Sequence, residues 1–132
     1  MRWDGASLTE EWSIPGHGLL FHSGIPFNGM LFAFNDESRN SNTLQLINPK
    51  TGDAAWESDA LPKGNAVISD DGTALVLGRT GELVAAKLSS KGVDAVHRMQ
   101  VLGGKSYIQP VLADRRVLCR NNEGMTVCLD LR

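Results

Sequence analysis

The chain has 132 residues, 42% of them apolar and 21% charged, with a net charge of −2. That make-up belongs to a globular domain able to bury a core, and it excludes a disordered tail. Charges of both signs are interspersed, so there is no basic stripe to grip nucleic acid. The longest apolar runs, such as Met30–Phe34, are too short to cross a bilayer, and no membrane span is expected.

The opening Met1-Arg2-Trp3-Asp4-Gly5 lacks the apolar stretch of a secretory signal, which is therefore absent or already removed. From there, short runs rich in Val, Leu, Ile, Phe and Trp alternate with glycine turns. Those turns include Asn28-Gly29, Thr51-Gly52, Asp71-Gly72, Thr80-Gly81, Lys91-Gly92 and Glu123-Gly124. Glycine reaches positive φ without steric cost, and no segment holds a helical period, so the pattern predicts an all-β chain. The expected strands are Thr9–Ile14, Leu19–Ser23, Met30–Phe34, Thr43–Ile47, Ala54–Ser58 and Ala66–Ser69. They continue with Ala74–Leu77, Glu82–Leu88, Ala95–Val101, Ile108–Leu112, Arg116–Arg120 and Met125–Leu129.

Groups that suggest chemistry are few along this path. His17 and His22 lie close together, but only Asp36 and Glu37 on a distant loop could complete a metal site, so they read as loop histidines. Asp36–Asn42 is a polar insertion in the first hairpin, solvated by default and able to carry recognition. Asp70-Asp71-Gly72 resembles the start of a calcium loop, but Ala74, Val76 and Leu77 stand where further ligands belong, and a hairpin turn is the better reading. Gly103-Gly104-Lys105-Ser106 lacks the first glycine of a phosphate loop, where Met99 stands, and Pro110 forbids the helix that should follow. It reads as a connector. Ser23-Gly24 lacks the frame of a nucleophile elbow. Cys119 and Cys128 belong to one hairpin. Tight pairing sets Cys119 opposite Thr126 and leaves Cys128 diagonal on the same face, about 7–8 Å away and too far for a disulfide. Two buried free thiols are expected. No catalytic residue, cofactor or metal ligand is assigned.

The main signal is repetition. Asp4 precedes Trp12 as Asn48 precedes Trp56, each by eight residues. A third copy runs from Leu88 through Gly92 to Val96, and a fourth begins at Cys128-Leu129-Asp130. The equivalent points Asp4, Asn48, Leu88 and Asp130 are 44, 40 and 42 residues apart. A period of ~40–45 suits a four-stranded propeller blade. The pattern Asn48-x-x-Thr51-Gly52-x-x-x-Trp56 resembles the tryptophan docking motif of pyrroloquinoline-quinone-like (quinoprotein-type) β-propellers. Trp12 fits it with Leu8 in place of the glycine, and Val96 replaces the tryptophan in the third copy. The stretch from Gln109 to Asp130 resembles the last blade of that family. The resemblance implies blade-docking roles for Trp12, Trp56, Gly52 and Asn48, and an extracytoplasmic bacterial setting. It does not imply a quinone, because the calcium and catalytic carboxylate set of the dehydrogenases has no counterpart here. WD-repeat propellers fit less well, since Trp3-Asp4 occurs once.

The expected protein is thus about three four-stranded antiparallel blades over residues 1–132, in windows of about 8–52, 53–92 and 93–132. The last blade is short of its outer strand, which Thr9–Ile14 of a partner or a second copy could supply. Three blades cover only an arc, so a homo-oligomer is expected, with a six-bladed dimer favoured. The competing expectation is a piece of a longer propeller. Non-enzymatic recognition of a protein or surface is the expected function; a quinoprotein dehydrogenase fragment and a carbohydrate-binding propeller are the alternatives.

Overall fold

A computed structural model describes residues 2–3, 5–14, 23–35 and 43–132. Apolar runs joined by tight turns fold as successive antiparallel hairpins. A small ladder joins β1 (Arg2–Trp3) to β2 (Leu8–Thr9). The first sheet holds β3 (Ile25–Phe27), β4 (Met30–Asn35), β5 (Thr43–Ile47) and β6 (Ala54–Ser58), in that order. The second holds β7 (Gly64–Ile68), β8 (Thr73–Gly78), β9 (Glu82–Ser89) and β10 (Gly92–Gln100). The third holds only β11 (Val111–Ala113), β12 (Arg116–Arg120) and β13 (Thr126–Asp130). Every pairing is antiparallel between chain neighbours.

The sheets stack through two cores. Phe27, Phe32, Phe34, Leu44 and Leu46 of the first sheet meet Ala66, Ala74, Val76, Val84, Ala86 and Leu88 of the second. The other face of the second sheet sends Leu75, Leu77 and Leu83 against Val117 and Cys119 of the third. Strands β8 and β9 are therefore covered on both faces, which is why Ala74-Leu75-Val76-Leu77 reads as a continuous apolar run instead of an alternating one. Phe32 and Phe34 meet edge to face with ring centroids 5.6 Å apart.

Several strands differ from expectation. Of the strand expected over Thr9–Ile14, only Thr9 is in a ladder, together with Leu8; residues 10–14 pair with no strand among the described residues. The strand Ile25–Phe27 lies outside the expected set; Pro26 has no backbone donor, and β3 tolerates it as the edge of its sheet. Leu19–Ser23, apart from Ser23, and His17, His22 and the Asp36–Asn42 insertion lie outside the described residues.

The linker over 101–110 carries Gly103-Gly104-Lys105-Ser106 from β10 to β11. Ser106 is buried there, and its hydroxyl donates to the Arg120 carbonyl at 2.7 Å. Asn121 Nδ2 donates to the Gly103 carbonyl, and Gln109 Nε2 donates across to the Ala66 carbonyl at 2.8 Å. The connector is tied down at several points, with the serine hydroxyl facing protein backbone.

Candidate functional site

The turn between β5 and β6 is built by Asn48. Its carbonyl accepts from the Gly52 amide at 2.8 Å, its amide donates to the Asp53 carbonyl, and its Oδ1 accepts from the Lys50 amide. Gly52 sits at φ +80°, and a Cβ there would lie 2.4 Å from Ile14 Cδ1 and 2.9 Å from Trp12 Cε3. The absence of a side chain thus lets Trp12 and Ile14 lie against the turn. The Trp12 indole N–H donates to the Pro49 carbonyl at 2.9 Å in that same turn.

Trp56 repeats the arrangement one sheet further on. It stands on the fourth strand of the first sheet, packs on the core shared with the second, and donates its indole N–H to the Ser89 carbonyl at 3.2 Å. Ser89 ends the third strand of the second sheet. Each tryptophan therefore reaches the turn between the third and fourth strands of a sheet, Trp12 the first sheet's and Trp56 the second's. Trp12 makes this contact although residues 10–14 pair with no strand among the described residues.

The repeat departs from expectation in the second sheet. A bulge between Asp94 and His97 adds a residue to β10, as one between Ala54 and Trp56 does in β6, and one added residue turns a strand's side chains to the other face. Val96 consequently packs back on the core shared with the first sheet, and His97, opposite Ala85, stands where Trp56 stands opposite Leu46. Behind His97 an apolar groove of about 250 Å3 opens between Leu75, Leu83, Met99, Leu129 and Leu131.

The third sheet buries one face and opens the other. Val117, Cys119, Val127 and Leu129 face the second sheet. Val111, Leu118 and Cys128 form a cross-strand row on the opposite face, with Val111 56% and Leu118 39% exposed. Other exposed large apolar side chains include Leu8, Trp12 and Ile14 near the start of the chain and Met125 and Leu131 near its end. Among the described residues, the outer edge of β13 pairs with no strand.

The cysteines correct the hairpin register. Cys119 pairs with Val127 and Cys128 with Leu118, one residue away from the expected pairing. The turn is one residue longer than a tight one, with Asn121 Oδ1 accepting from the Glu123 and Met125 amides. That shift puts the thiols on opposite faces. Both are free, Cys119 buried and Cys128 exposed, and burial pushes the Cys119 thiol up.

Other candidates resolve into structure. Asp70-Asp71-Gly72 lies in the turn between β7 and β8. Asp71 there accepts from Lys87 Nζ at 2.8 Å and from Ser69 and the Thr73 amide, so Lys87 first of all holds its carboxyl well below the usual carboxylate range. A cleft of about 520 Å3 at the inner strands is walled by Phe32, Phe34, Asn65, Tyr107 and Gln109, with no carboxylate or histidine among its described lining. Among the described residues no group of three or more His, Cys, Asp or Glu could hold a metal ion, and no helix is long and apolar enough to cross a membrane.

No protein-family model matches the chain, and no curated protein sequence matches it. Among solved structures the chain is similar to BamB from Moraxella catarrhalis, at a TM-score of 0.58 and 16% identity, over 82% of this chain and 32% of that one. The chain thus spans about a third of that neighbour's length. At this identity the likeness concerns fold alone, and with the stacked antiparallel sheets it makes the chain an all-β protein of β-propeller fold.

Proposed function

We propose that this chain is a non-enzymatic β-propeller module for protein recognition, and that it closes with a second copy into a six-bladed ring. The observation that carries the reading is the third sheet. Among the described residues it has three strands where the first two sheets have four, with an apolar face and a strand edge uncovered. Open edges and apolar patches of this kind are association surfaces. At the opposite end, Trp12 is docked like a fourth-strand residue on a segment that pairs with no strand among the described residues.

The paired docking of Trp12 on the Asn48–Gly52 turn and of Trp56 on Ser89 supports a quinoprotein-type repeat, with Trp12, Trp56, Gly52 and Asn48 as its blade-docking residues. In that reading each window, 8–52, 53–92 and 93–132, carries the outer strand of one blade followed by three strands of the next. Three blades from each of two copies give six, within the usual range of about 4–8 blades, joined through two equivalent junctions. Size exclusion with light scattering tests the ring. A mass twice 14.3 kDa at micromolar concentration supports it, and a well-folded monomer of 14.3 kDa overturns it.

A further inference from the structure

We infer that residues 10–14 of one copy form the fourth strand of the other copy's third sheet in a single register: Trp12 opposite Cys128, Ser13 opposite Val127 and Ile14 opposite Thr126. This rests on the ring reading above and specifies its junction.

The register follows from the rows of paired residues. In the first sheet Ile25, Phe32, Leu46 and Trp56 form one row across four strands. In the third sheet Val111, Leu118 and Cys128 form a row across three. Phe32 and Leu118 are each the third residue of the second strand and face the same way, away from the preceding sheet. Leu46 and Cys128 are then equivalent, and the missing member opposite Cys128 corresponds to Trp56. Trp12 is the residue docked as Trp56 is docked, so it fills that position. Beyond Trp56, Glu57 pairs with Gln45 and Ser58 with Leu44. The same steps set Ser13 against Val127 and Ile14 against Thr126.

Two further observations fit. Strand β1 pairs only with Leu8–Thr9 and leaves the backbone of 10–14 outside any ladder. The register also sets the back of the first sheet, with Leu31 and Ile47, over the exposed Val111 and Leu118. Within one copy the Trp12 segment is docked at the first sheet, while β13 belongs to the third.

Disulfide trapping reads the register directly. Ile14→Cys with Thr126→Cys, in a Cys128→Ser background, places two exposed side chains opposite each other and should give covalent dimer as the dominant product of mild oxidation. Ile14→Cys alone leaves native Cys128 two residues out of register on the same face, about 7–8 Å away, and should give at least tenfold less dimer. Preferential linkage to Cys128 would show a slipped register. A dimeric mass with no cross-link in the first variant would overturn the register while sparing the ring, whereas a monomeric wild-type chain would overturn both. Leu118→Asp, on the exposed face, should weaken self-association at least tenfold with the unfolding midpoint of the monomer unchanged; undiminished association would also overturn the junction.

Discussion

Truncating Trp56 to alanine tests the inter-sheet packing quantitatively. A fully buried tryptophan costs roughly 3–5 kcal/mol on truncation. Trp56 is only half-buried, however, with one side of the indole on the core between the first and second sheets. Half of the packing loss, together with about 1 kcal/mol for the indole hydrogen bond to Ser89, gives about 2.5–3.5 kcal/mol. Trp56→Phe keeps most of the ring contact and loses the donor, so it should cost about 1 kcal/mol. Urea unfolding followed by far-ultraviolet circular dichroism measures both, at one protein concentration so that any assembly contributes equally. A loss under about 1 kcal/mol for the alanine variant, or equal losses for both variants, would refute the reasoning.

Gly52→Ala forces a side chain at φ +80° into Ile14 and Trp12, so it should cost about 1 kcal/mol or more and release Trp12. The expected reading is a red-shifted tryptophan emission, and an unshifted spectrum would contradict the docking. Asp71 has a depressed folded pKa, so its stabilising contribution is present above the unfolded value of about 4 and is lost as pH falls through the lower folded value. Lys87→Gln should therefore shrink the difference in urea midpoint between pH 7 and pH 3, modestly because the pair is exposed; an unchanged difference would count against the pairing. At dilutions that favour the monomer, a thiol reagent should modify Cys128 quickly and Cys119 only on unfolding, since burial hinders the latter's thiolate. Two fast equivalents would show that the hairpin register is wrong.

Local pattern determined much of this protein. Alternating apolar residues and turn glycines are enough to specify strands joined by hairpins, because pleat and turn conformation depend on neighbours a few residues apart. Thr43–Ile47, Ala54–Ser58 and Arg116–Arg120 are strands with the expected bounds. Ala74-Leu75-Val76-Leu77 announced burial on both faces by its composition, and the Asn48–Trp56 motif pointed to a turn followed by a packed indole.

Tertiary structure decided which way those strands face and what they meet. One added residue in β10 turns Val96 backward and His97 forward, and one more in the turn after Arg120 separates Cys119 from Cys128. Such insertions are invisible in a period-2 pattern until the partner strand supplies a register. The contact of Trp12 with Gly52 joins residues 40 positions apart, and the open row Val111–Leu118–Cys128 is visible only once the first two sheets show what a completed row contains. Alternation marks an apolar face; only the packing of whole sheets determines whether anything covers it.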